Sequence, residues 1–437
     1  MSSINRRVNR FQAQNSVGTP VPDTSTYDQL KRVTLASMLW EDQFYLDGKS
    51  HAELVRDLVA KAQPEQVADL AEMARSKFKL RHIPLLLARE LARNGRLQAK
   101  TLTNIVQRPD EMSEFLSIYW QEGKTAVSNQ VKRGLAACFN KFNEYQLAKW
   151  NKNRAAVKLR DVMFISHPKP QSAEQAELFK RIASDTLETP DTWEVQLSAG
   201  ADKCETFTRL MQEKKLGALA FLRNLRNMTQ AGVAESLIRE YGAVVDVSKV
   251  LPFRFIAAAR IVPQFEDMLE QMMFRALADQ PKLPGKTVLV IDVSGSMFGA
   301  RISQKSDLDR FDAAAALAIL CREICEQVEI YSFSHDVVRV APRRGFALVE
   351  AISKSQNHGG TELGQSMHTI NAQTRYDRVI VFTDEQSYDR PQSPRGRGYL
   401  VNVASYQHGV NHSAWNEING FSEAIIDYIQ AFERNSQ

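Results

Sequence analysis

Three short polar segments carry the side chains best suited to chemistry. Asp292-Val293-Ser294-Gly295-Ser296 follows the apolar run Val288 to Ile291, Thr383-Asp384 ends the run RVIVF, and Asn357-His358-Gly359-Gly360-Thr361 precedes a helix-like stretch. Asp292, Asp384, Ser294, Ser296 and Thr361 together offer two carboxylates and three hydroxyls, and the glycines allow the backbone to turn tightly. A hard-oxygen set of this kind suits a divalent cation that keeps several waters, Mg²⁺ first and Mn²⁺ second, better than zinc. No Ser/His/Asp or Cys/His arrangement recurs at the ends of the apolar runs, which disfavours a hydrolase, and His358 reads as a loop residue.

The elements that must position these loops begin after a turn-rich linker, ADQPKLPGK, that contains Pro281, Pro284 and Gly285. KTVLVIDVSGSM opens with an apolar run of the sort that forms a parallel strand buried on both faces. A helical stretch (FDAAAALAILCREICEQ), a strand (VEIYSFS), a helix (GTELGQSMHTINAQ), two strands (RVIVFTD and YLVNVASY) and a helix (SEAIIDYIQAFE) follow. Strands alternating with helices indicate a doubly wound α/β domain over 285–437, and such domains bind ligands at the C-terminal ends of their strands.

Upstream, from about residue 28 to 280, the apolar pattern has the period of a helix, which sets a helical-repeat domain over 28–284. HAELVRDLVAKA sets Leu54, Val55, Leu58 and Val59 on one face; Pro64 suits the first turn of a second helix, and Gly95 suits a left-handed cap ending a third. Short amphipathic helices joined by short links read as stacked pairs of the HEAT class rather than as one bundle. Residues 1–27 form an N-terminal extension. The fold class expected is therefore α plus α/β.

Charge is unevenly spread along the 437 residues. Residues 1–284 hold 41 Lys and Arg against 33 Asp and Glu, residues 285–437 hold 15 against 18, and residues 75–160 alone hold 18 against 6. So lopsided a segment suggests a polyanionic partner, with Lys132, Arg133, Lys149, Lys152, Arg154 and His167 as candidate RNA contacts. Trp150 can stack on a base or belong to the core, and His167, before Pro168, can serve RNA or end a helix. No run of about 18 apolar residues crosses a membrane, and the N-terminus lacks the apolar segment of a signal peptide. Cys138, Cys204, Cys321 and Cys325 form no CxxC pair and read as free thiols, so the expected location is the cytoplasm.

Asp292, Ser294, Ser296, Thr361 and Asp384 resemble, in order and context, the DxSxS…T…D metal-ion-dependent adhesion site of von Willebrand factor A-type domains. RGLAACFNKFNEYQLAKWNKNRAAVKLRDVMFISHPKP, GALAFLRNLRNMTQ and VLPFRFIAAARI resemble the TROVE module of Ro autoantigen proteins. The resemblance runs from about residue 10 to the chain's end. It implies a closed, single-chain ring of HEAT-like repeats whose ends the A-type domain bridges. It implies small noncoding Y RNAs on the ring's outer basic surface and single-stranded ends of misfolded RNAs in its hole. Arg154 and His167 match positions of the outer RNA contact, with Lys152 among nearby cationic positions. An open coordination position at the metal would take a partner's carboxylate, and an exoribonuclease is one such partner. The rival expectation is a protein-interaction scaffold that works through the metal site, with RNA binding incidental.

Overall fold

The computed structural model describes residues 26–36, 48–77, 80–151, 155–250, 252–299, 308–384, 387, 389–403, 415–419 and 425–434. The chain divides into two compact units. One holds the described residues between 280 and 422; the other holds those between 26 and 279 together with the C-terminal helix.

The first unit is built on β1 (Leu283–Asp292), β2 (Cys325–Phe333), β3 (Val337–Arg339), β4 (Arg378–Thr383), β5 (Arg397–Asn402) and β6 (Trp415–Asn419). The sheet order is β3-β2-β1-β4-β5-β6, parallel except for the β2–β3 pair. β1 is buried from Val288 to Asp292 and β4 along its whole length, the pattern of central strands covered on both faces. Val288, Val290, Val379, Val381 and Leu400 build a core with Met367 and Ile370. The helix Arg310–Ile324 packs on β1 through a run of buried alanines, Ala313 to Ala316, whose small side chains allow close approach.

Several boundaries depart from the sequence reading. The helix expected to run to Gln327 stops at Ile324, and β2 starts at once with Cys325, which pairs with Leu283. The linker residues Leu283 to Gly285 already belong to β1; Gly285, at φ +78°, sits where the register shifts between Leu283 and Lys286. The short strands β3 and β6 lie at the sheet's edges, where brief, mixed-polarity segments leave little periodic signal. The final helix (Ile425–Arg434) clusters with the helical unit rather than with the sheet, burying Ile425, Ile426 and Ile429 along one face.

The helical unit begins with α1 (Thr26–Ala36), α2 (Gly48–Lys61), α3 (Pro64–Ser76), α4 (His82–Arg93), α5 (Ala99–Ile105) and α6 (Asp110–Tyr119). It continues through α7 (Asn129–Phe139), α8 (Glu144–Trp150), α9 (Leu159–Ser166), α10 (Ala173–Ser184), α11 (Trp193–Ser198) and α12 (Lys203–Gln212). α13 (Ala218–Gln230), α14 (Glu235–Val244), α15 (Pro252–Ile261) and α16 (Glu266–Leu277) complete the array. Numbering then runs on through α17 (Arg310–Ile324), α18 (Gly345–Ser353), α19 (Leu363–Gln373) and α20 (Ile425–Arg434). Alternate helices touch: α3 with α5, α4 with α6, α5 with α7, α7 with α9, α12 with α14, α13 with α15 and α14 with α16. That pattern is what stacked helix pairs produce. Starts and stops follow local chemistry: Pro64 is the first residue of α3, Asn143 and Gln146 form a capping box on α8, and Gly95 takes φ +68° just past α4. Among the described residues no helix is long and apolar enough to cross a membrane.

Candidate metal centre and nucleic-acid interface

β1 and β4 are adjacent and parallel, while the chain leaves β1 for β2 on the other side, so the gap above their C-terminal ends is a topological switch point. Ile291 pairs with Phe382, which places Asp292 beside Thr383 at the strand ends. The Thr383 hydroxyl donates to Asp292 Oδ2 at 2.6 Å, and the Ser294 backbone N–H donates to Asp292 Oδ1 at 2.8 Å. The Ser294 and Ser296 hydroxyl oxygens lie 3.2 Å apart. Asp292, Ser294, Thr361 and Asp384 are buried and Ser296 is half-buried.

The third loop is fastened to the first. Gly295 N–H donates to the Gly359 carbonyl at 3.3 Å, and the His358 ring stacks on Phe298 with centroids 4.0 Å apart. Phe298 stacks in turn on Phe311 of α17 at 4.6 Å, so one aromatic column joins the two loops to a helix. His358 is thus a loop residue with a packing role, and its Nε2 lies 2.9 Å from the Ser353 carbonyl oxygen. His335 Nε2 accepts the Gly360 N–H at 2.9 Å, while Asp389 accepts the N–H groups of Gly364 and Gln365 at 2.7 Å each and anchors the start of α19 behind Thr361.

Burial pushes the Asp292 carboxyl up to about 6; the Ser294 and Thr383 hydrogen bonds pull it down, and the charge of Asp384 adds to the rise. Opposing that repulsion is a residue that sequence reasoning missed. Arg310, first in α17, donates to Asp384 Oδ2 at 2.8 Å and to the Ser296 carbonyl at 3.3 Å. Asp309 and Asp312 form a capping box that fixes this helix start. The only signal available was a DxxD spacing ahead of an alanine run, which marks a helix terminus without saying where Arg310 points. Among the described residues no group of three or more His, Cys, Asp or Glu forms a metal cluster. The donors gathered here are two carboxylates and neighbouring hydroxyls, a set that fits a hard divalent cation retaining water and does not fit zinc.

The basic stretch separates into two populations. All six of its acidic residues are paired with arginine: Glu90 with Arg89, Asp110 with Arg81 and Arg108, Glu111 with Arg75, Glu114 with Arg81, Glu122 with Arg56, Arg89 and Arg93, and Glu144 with Arg181. Lys141 is also structural, donating to the carbonyls of Thr103 and Val106 at the end of α5. Lys132 and Arg133 on α7 and Lys149 on α8 have no carboxylate partner among the described residues; Arg133 and Lys149 are exposed and Lys132 half-buried. His167 is exposed at φ +50°, where its N–H bonds the Met163 carbonyl at 2.9 Å and ends α9. Trp150 is half-buried with the Arg108 guanidinium 3.7 Å from its ring centroid, so one face is already covered. Lys152 and Arg154 lie outside the described residues.

Comparison with known proteins follows this division. Residues 180–284 match the TROVE domain, and residues 286–396 match the Ro60 vWA domain. The second match contains all five candidate metal residues; the first begins after His167. The crystal structure of the Deinococcus radiodurans Ro (RSR) protein is similar at a TM-score of 0.67 and 19% identity, covering 93% of this chain and 100% of that one. With a TROVE domain running directly into a Ro60 vWA domain, the chain belongs to the Ro/TROVE family of RNA-binding proteins.

Proposed function

We propose that the protein is a noncatalytic, cytoplasmic agent of noncoding RNA quality control. It binds Y-like small RNA on an outer basic surface and takes single-stranded ends of misfolded RNA into a central hole. The observation that carries this reading is that cations such as Lys132, Arg133 and Lys149, on the consecutive helices α7 and α8, meet no carboxylate among the described residues, while every acidic residue of the stretch is held by an arginine. Cations without acidic partners are free to displace counterions from a phosphate backbone. Arg154 and His167 are the proposed outer contacts, with Lys152 as a further candidate. The reading includes a single-chain ring, so an RNA that must thread needs a free end. A linear RNA with an unpaired tail should therefore outcompete its covalently circular counterpart by about tenfold. Equal affinities would remove the threading half of the proposal.

A second reading assigns the metal loops to protein partners. It is supported by the convergence of Asp292, Ser294, Ser296 and Asp384 at the strand ends. In this reading Mg²⁺, or Mn²⁺ in its place, binds there and leaves a coordination position for a carboxylate of an exoribonuclease or another protein. Asp292→Ala should abolish divalent binding by calorimetry while the fold survives, since carboxylate repulsion is relieved; undiminished binding would sink the assignment.

A further inference from the structure

Residues 216–234 and 247–265 contain no Asp or Glu, yet they include the packed pair α13 and α15. On α13, Leu219, Leu222, Arg223 and Arg226 recur at i, i+3, i+4 and i+7, the spacing of one helix face. Arg254, Ala257, Ala258 and Ile261 repeat that spacing on α15, and both faces line one groove. Leu222 and Ala258 are buried in its floor, while Leu219 and Ile261 are each 47% exposed. Arg223, Arg226 and Arg254 are exposed and meet no carboxylate among the described residues.

The chemistry of this groove differs from that of the RNA candidates. Its floor is aliphatic, and among the described residues no aromatic ring lines it; the nearby Phe253 ring is covered by the Arg254 guanidinium, 4.6 Å from its centroid. Single-stranded nucleic acid sites stack bases on rings, whereas leucine and isoleucine faces flanked by arginines match an amphipathic helix with carboxylates beside its apolar stripe. Arginine forks also bind carboxylates in a bidentate geometry. Each lining stripe extends about 10 Å along its helix, room for two turns of a docked helix.

We infer that the α13–α15 groove is the docking site of an acidic amphipathic helix from a partner protein. Leucine-sized side chains of that helix rest against Leu219 and Ile261, and its carboxylates pair with Arg223, Arg226 and Arg254. The test uses the full chain and a labelled helical peptide of about 15 residues, with leucines at i, i+3, i+4 and i+7 and glutamates flanking them. A scrambled peptide of the same composition and an oligouridylate serve as comparators. Saturable binding in anisotropy, at least tenfold tighter than for the scrambled peptide, is expected. It should weaken about tenfold in Leu219→Ser and in Arg226→Glu, both exposed positions, with circular dichroism unchanged, and oligouridylate should leave it undisturbed. If Arg226→Glu disturbs the fold, Arg226→Gln gives the same comparison with a smaller loss. Absent binding, equal affinity for the scrambled peptide, or indifference to the groove substitutions would overturn the inference. Displacement by oligouridylate together with parallel loss of RNA binding in the variants would make the groove an RNA site and overturn it as well.

Discussion

Arg310 Nη1 lies 2.8 Å from Asp384 Oδ2, with the arginine side chain 11% exposed and the carboxylate fully buried. A divalent ion held through Asp384 must therefore share that carboxylate with a guanidinium. Two cations on one carboxylate repel each other, and in a site this dry the repulsion is little screened. Arg310→Gln keeps a polar side chain and removes the charge, so Mg²⁺ or Mn²⁺ should bind about tenfold more tightly in calorimetry, roughly 1.4 kcal/mol. Unchanged or weaker affinity would mean that the guanidinium supports the site and does not compete for it.

The split between paired and unpaired cations in the basic stretch predicts different responses to salt. Lys132 and Lys149 have no carboxylate partner among the described residues, and each should account for about 0.7 units of the salt slope on single-stranded RNA. Lys132→Ala with Lys149→Ala should lower the slope of log affinity against log salt by about 1.4. Lys141→Ala is the contrasting case: Lys141 donates to the Thr103 and Val106 carbonyls, so its loss should reduce stability and leave the slope alone. Binding measured across a range of salt concentrations checks both halves, and equal slope changes would show that the assignment of cations to roles is wrong.

What was legible in the sequence followed from strong local rules. Pro64, Gly95 and the buried run Val288 to Ile291 announce a helix start, a helix end and a central strand without help from tertiary structure. The five candidate metal residues could be ordered because each follows or precedes a clear apolar run. Arg310 could not be placed, because its partner Asp384 lies 74 residues away. The excess of cations in 75–160 was visible, but composition cannot tell that Arg75, Arg89 and Arg108 are held by carboxylates while Lys132 is not. β3 and β6 were missed because edge strands this short carry almost no periodicity, and α20 shows its amphipathic face in sequence but not the core that receives it.

Glu122 gathers Arg56 of α2 with Arg89 and Arg93 of α4, and hydrogen bonds from Arg89 and Arg93 bring its carboxyl down to about 2. A depressed carboxyl stabilises the fold above its unfolded value near 4.5 and loses that contribution as pH falls toward 2. Glu122 is 46% exposed, so solvent screening holds the effect to about 1 kcal/mol, well short of what the full shift implies. Urea midpoints should fall more steeply between pH 4.5 and 2 in the wild type than in Glu122→Gln. Parallel curves would remove Glu122 from the acid response.

Glu111 should be the costliest single residue to truncate in the first half of the helical array. Its Oε1 accepts Arg75 Nη2 at 2.6 Å, and its Oε2 accepts the backbone N–H groups of Gln107 at 2.8 Å and Arg108 at 3.1 Å. Arg75 also donates to the Ile105 carbonyl at 3.2 Å, so one ion pair ties α3 to the end of α5 and the start of α6. The Glu111 side chain is fully buried and that of Arg75 is 10% exposed. Glu111→Ala leaves a buried guanidinium without its counter-charge and two amides without an acceptor, a loss of about 3–5 kcal/mol. Glu111→Gln keeps an acceptor for the amides and should lose about 1–3 kcal/mol. Replacing both partners, Arg75→Met with Glu111→Leu, removes the stranded charge and should recover part of the alanine loss, since apolar substitutes of similar size often match a buried pair. Denaturant unfolding of the three variants separates the contributions. If the double variant is as unstable as Glu111→Ala, the unsatisfied amides of Gln107 and Arg108 dominate, and the ion pair itself contributes little.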